Sequence, residues 1–154
     1  MGAASREELA AEVRARTGLD EERIARVVEA FYGRARADAL LGPVFAARVA
    51  DEDWPAHIER VAAFWSSVAL MSGRYHGRPV QAHEGLPIEA RHFDRWLELF
   101  RDTAREVGPP EAAAFLVERA ERIAQSLEGA IEAAQGRSLG RPGAFRLPGG
   151  LSGR

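Results

Sequence analysis

Trp54-Pro55-Ala56-His57-Ile58-Glu59-Arg60-Val61-Ala62-Ala63-Phe64-Trp65-Ser66-Ser67-Val68-Ala69-Leu70 decides the class of fold. Trp54, Ile58, Val61, Trp65 and Val68 recur every three or four residues, with Phe64 and Leu70 beside them, so one face of a helix is apolar. Asp51 or Asp53 is placed to cap it. His57 stands three residues after Trp54 and four before Val61, which puts an imidazole inside the stripe and away from the solvent face.

The same periodicity extends in both directions. Upstream, Ser5 with Glu8 reads as a capping box opening a helix to about Thr17, which Gly18 ends. Asp20 caps a second helix from Glu21 to about Ala39, with Ile24, Val27, Val28 and Phe31 on one face and Tyr32 at its edge. Leu41-Gly42-Pro43-Val44-Phe45 is a turn with at most a short helical piece after it. Downstream, Ser72-Gly73 ends the quoted helix, and a loop from Arg74 to Pro79 leads to Val80-Gln81-Ala82-His83-Glu84-Gly85-Leu86-Pro87. That stretch carries His83 on a turn of helix that Gly85 and Pro87 stop at once. Pro87 suits the first turn of the next helix, whose face is Phe93, Trp96, Leu97, Phe100 and Ala104. After Gly108-Pro109-Pro110 a last helix runs from Glu111 to about Ala134. No segment alternates with period two and no internal repeat exists. The expectation is an all-α chain of about six helices in one domain.

Composition narrows the chemistry. The chain has 154 residues, no cysteine and a net charge of −2. That argues against a nucleic-acid partner and excludes disulfides and thiolate chemistry. The N-terminus lacks the apolar core of a signal peptide and no run is long enough for a membrane span, so the expected setting is cytoplasmic. All 21 basic residues are arginine, a composition bias that weakens the meaning of any one of them. The last 19 residues hold six glycines, two prolines and four arginines, too little apolar surface to offset ordering, and read as a disordered tail. Phosphate loops and a serine-nucleophile elbow are absent. A di-iron bundle needs two Glu-x-x-His pairs, and the chain has one, Glu89-Ala90-Arg91-His92. A zinc site from His57, His83 and His92 is formally open. Haem fits better: it needs one strong axial ligand and a sleeve of apolar side chains, and His57 and His83 lie on different helices that can face its two sides.

The landmarks Phe31-Tyr32, Leu41-Gly42-Pro43-Val44-Phe45, Trp54-x-x-His57, Phe64-Trp65, Tyr75-x-Gly77-x-Pro79, His83-x-x-Leu86-Pro87 and Phe93-x-x-Trp96-Leu97-x-Leu99-Phe100 stand in an order that resembles the truncated haemoglobins, most nearly their third group. The resemblance runs from about Ile24 to Leu127. It implies a shortened globin, a two-over-two helical sandwich over residues 21–135, with a helical extension before it (1–20) and the tail after it (136–154). It also implies haem b (iron protoporphyrin IX), with His83 as the proximal iron ligand. The distal pocket would be formed by Tyr32, His57, Trp96, Phe31 and Val61. Phe64, Trp65, Leu86 and Phe93 would contact the haem, and Arg60 or Arg78 would reach its propionates. The implied function is binding of a diatomic gas (oxygen, with nitric oxide or carbon monoxide) at a five-coordinate iron. Retention by hydrogen bonds donated from Tyr32 and Trp96 suits redox chemistry or detoxification of reactive nitrogen and oxygen species, with nitric oxide dioxygenase- or peroxidase-like activity and an electron-donating reductase as partner. The alternatives are a haem-based gas sensor, an oxygen carrier or store and a haem-free helical interaction protein.

Overall fold

A computed structural model describes residues 5–140; the first four residues and residues 141–154, most of the expected tail, lie outside them. Helix α1 (Arg6–Thr17) starts where Ser5 N donates to the Glu8 carboxylate at 2.8 Å and Glu8 N donates to Ser5 Oγ at 3.1 Å. Gly18, at φ 76°, ends it in the left-handed conformation that glycine adopts without a Cβ clash. In α2 (Glu21–Ala37) the Asp20 carboxylate accepts from Arg23 N at 2.8 Å. Asp38 closes α2 and accepts from Leu40 N and Leu41 N, while Arg95 holds its carboxyl below the usual range.

Helix α3 (Gly42–Arg48) follows at once because of Gly42: a Cβ there would lie 2.6 Å from the Arg36 carbonyl oxygen. A 3-10 turn at Asp51–Asp53 then feeds α4 (Trp54–Leu70). The expected acid cap is corrected here: Asp53 makes no side-chain capping bond, Asp51 pairs instead with Arg36, and Pro55 in the first turn does not need the N–H bond a cap would satisfy. Met71, at φ 52°, ends α4 one residue before Ser72. Helix α5 (Pro79–Ala82) is one turn, α6 runs Ala90–Val107 and α7 runs Pro110–Gln135. Pro87 falls three residues short of α6, because Glu89 is its cap and donates its N–H to His92 Nδ1 at 2.9 Å. Among the described residues there is no strand.

These helices build two apolar clusters. The first joins α1, α2, α4, α6 and α7 around Phe31, Trp65 and Phe100, with Trp65 stacked on Phe100 at 5.0 Å between centroids. Full burial of a side chain such as Phe31 contributes about 1.5–3 kcal/mol. The second gathers Leu86, Ile88, Phe93, Ala124, Ile131 and Leu139 beneath the His83 segment. Trp96 and Leu97 of α6 touch both clusters. Five described residues follow α7: Leu139 is buried, its N–H donates to the Glu132 carboxylate at 2.8 Å and its carbonyl accepts from Ala90 N at 2.7 Å. Residues 136–140, read from composition as the start of the tail, thus include a leucine packed on the helices.

Candidate functional site

A helix of four residues cannot satisfy its own ends, so each carbonyl of α5 must find a partner elsewhere. His83 Nδ1 lies 2.6 Å from the Pro79 carbonyl. Val80 O accepts from His83 N, and Gln81 O accepts from Glu84 N. Ala82 O accepts from Arg48 Nη1 at 2.6 Å. A carbonyl can only accept, so the proton of the neutral His83 ring sits on Nδ1 and Nε2 keeps its lone pair. Fixing the far nitrogen in this way orients an imidazole for a metal. The turn then reverses through Gly85, at φ 80°, and Leu86 N returns to His83 O.

The second imidazole, His57, lies on α4. It is half-buried, and its Nε2 is fully buried with no hydrogen-bond partner. An unpaired buried ring nitrogen costs free energy unless a ligand or water meets it. Rings enclose it: Trp54 at 5.2 Å, Phe45 at 6.0 Å and Tyr32 at 6.1 Å between centroids. Burial lowers the His57 pKa below its ordinary value, and the nearby Arg60 charge lowers it further.

Tyr32 is buried rather than wet at the helix edge. Burial pushes its phenol up to about 12, and hydrogen bonding from the indoles of Trp96 and Trp65 pulls the other way. Phe31 meets Trp96 edge-on at 5.5 Å and fixes the angle of that indole.

Several apolar side chains are only half-buried: Phe45, Val61, Phe64 and Val68 pack against the first cluster, and Val44 and Val80 against the second. Large apolar side chains left half-covered suit a flat apolar molecule, and the free lone pair of His83 Nε2 with the unpartnered His57 Nε2 suits a metal at its centre. Haem has that form. Leu86 and Phe93 belong to the second cluster, Trp65 lies within the first, and Arg60 and Arg78 are exposed. His92 is removed from any metal set because its Nδ1 already accepts from Glu89 N. Among the described residues no three His, Asp or Glu side chains gather to hold a bare ion.

Residue reasoning missed three contributors. Arg48 donates from α3 to the His83 segment, and an exposed arginine among 21 has no signal that singles it out. Tyr75 packs edge-on to Phe64 at 5.2 Å, and its hydroxyl occupies the space where a Cβ of Gly77 would sit; the Tyr75-x-Gly77 spacing was the available clue. Leu139 closes the second cluster from within the glycine-rich segment.

The bacterial-like globin family matches this chain over residues 16–135, a span that includes Tyr32, His57, His83 and Trp96. The chain is 34% identical over 113 residues to a group 3 truncated hemoglobin of Campylobacter jejuni, covering 71% of this chain and 89% of that protein. It is also similar to the crystal structure of a group III truncated hemoglobin from Campylobacter jejuni, with a TM-score of 0.68 and 32% identity over 73% of this chain and 91% of the other.

Proposed function

The chain belongs to the bacterial-like globin family, so it binds a gas through haem, and on that premise we propose that His83 is the axial ligand of haem b while Tyr32, Trp96 and His57 surround the gas. When bound, ferrous haem supplies an iron with one position open to oxygen, nitric oxide or carbon monoxide. The chain's own residues do the rest. His83 Nε2 offers its lone pair while the Pro79 carbonyl holds the ring and its tautomer. Phe31 and Val61 line the gas side; Phe64, Leu86 and Phe93 exclude water from the ring, and Arg60 and Arg78 stand at the exposed rim for its carboxylates.

Tyr32 is the principal donor toward the gas. Its phenol stays protonated because burial raises its pKa, so it has a proton to donate. A hydrogen bond to an acceptor that gains negative charge contributes roughly 1.5–3 kcal/mol, and about 1.4 kcal/mol is tenfold in an equilibrium. Such a pocket retains oxygen and makes a poor carrier. It suits redox chemistry on the retained gas, with electrons from a reductase in a cytoplasmic setting and removal of reactive nitrogen or oxygen species as the outcome. No helix among the described residues is long and apolar enough to cross a membrane.

Two observations carry this reading: the His83 tautomer set by the Pro79 carbonyl, and the buried His57 Nε2 that no protein group meets. Absorption spectra of the purified protein in ferric, ferrous and carbon monoxide-bound forms test it. A Soret band with a five-coordinate ferrous form is expected; a colourless protein that takes up no haemin refutes it.

A further inference from the structure

Helix α5 is a single turn, too short to be stable by its own hydrogen bonds. The segment that presents His83 therefore depends on bonds from other elements. One residue supplies two of them. Arg48, the last residue of α3, donates from Nη1 to the Ala82 carbonyl at 2.6 Å and from Nη2 to the Glu84 carbonyl. Those carbonyls belong to the residues on either side of His83. A planar guanidinium spanning both restricts the rotation of the peptide units that carry the imidazole, which a point-like ammonium cannot do. Nη2 also lies 3.8 Å from the position of a Cβ on Gly85, so the fork lies over the turn.

Helix α3 is itself well anchored for this. Val44 packs on the second cluster and Phe45, the next residue, on the first. Arg48 thus connects the His83 segment to a short helix that packs on both clusters.

We infer that Arg48 is a positioning residue for the proximal ligand: by clamping the Ala82 and Glu84 carbonyls it sets the tilt and reach of the His83 imidazole, and through them the strength of the iron–histidine bond. The inference rests on the reading of His83 as the axial ligand. Arg48 is exposed and at a helix end, so its replacement leaves both apolar clusters intact.

The test is resonance Raman spectroscopy of the ferrous haem-loaded protein, wild type against Arg48→Ala and Arg48→Lys, with haem loss to a scavenging acceptor measured alongside. The wild type should show one narrow iron–histidine stretching band. In Arg48→Ala the band should broaden and move to lower frequency, and haem loss should accelerate about tenfold, the size of one charge-assisted hydrogen bond. Arg48→Lys should fall between, since an ammonium can meet one carbonyl but cannot hold both in a fork. A band unchanged in position and width in Arg48→Ala overturns the inference, even if stability falls. A wild-type protein with bound haem but no iron–histidine band overturns the axial-ligand reading beneath it.

Discussion

Tyr32 shows how one buried side chain acquires a task. Its hydroxyl has one proton to give, and burial keeps that proton on the phenol through neutral pH. Replacing Tyr32 with Phe removes that donor and keeps the ring contacts to Phe31, at 4.6 Å, and to Phe45, at 5.8 Å. The oxygen dissociation rate, measured by stopped flow, should rise about tenfold or more. Because the phenol ionises only at about 12, the wild-type rate should also stay flat through neutral and mildly alkaline pH. An unchanged off-rate in the variant would remove Tyr32 as the principal donor. The spacing of Phe31 and Tyr32 made both residues visible in the sequence. It placed Tyr32 at the stripe's edge, and the burial came from α4 and α6 closing over it, which no local pattern contains.

At the scale of elements, the long helices were legible because each carries its own apolar stripe, and α1, α2 and α7 end close to where capping residues and glycines predict. The failures share a cause: a residue was assigned by its local pattern when a distant element had claimed it. Asp51 looked like a cap and is the partner of Arg36. Leu139 lies in a stretch whose composition reads as disorder, yet its side chain fills the second cluster and its backbone bonds to Ala90 and Glu132. Such a buried leucine should matter: Leu139→Ala should lower the unfolding free energy by about 2–4 kcal/mol in urea denaturation. A change below about 0.5 kcal/mol, the range of surface substitutions, would mean that the segment does not pack in solution.

For the whole molecule, His57 and His92 bias stability in the same direction. Burial lowers the pKa of both below the ordinary value. The unfolded chain, with histidine near 6.5, therefore binds protons at a pH where the folded chain does not, and stability rises with pH wherever that holds. Full stability should be present above about pH 6.5 and should be lost progressively as pH falls toward the depressed folded values. Asp38, held low by Arg95, adds a second loss only further down, in the carboxylate range. Thermal melts of the apoprotein between about pH 7 and pH 5 should show the first decline. His57→Leu should flatten part of it. A melting temperature independent of pH across that interval would contradict the neutral, buried state of both rings.

The proposed function turns on His83 as the residue that holds the iron. The most direct measurement replaces it with glycine and offers imidazole in solution. Ferrous His83→Gly with haem should lack the iron–histidine Raman band and the wild-type Soret position, and added imidazole should restore both by entering the vacated place above Pro79. If His83→Gly keeps the wild-type spectra without imidazole, the iron is held by another residue and the account is wrong.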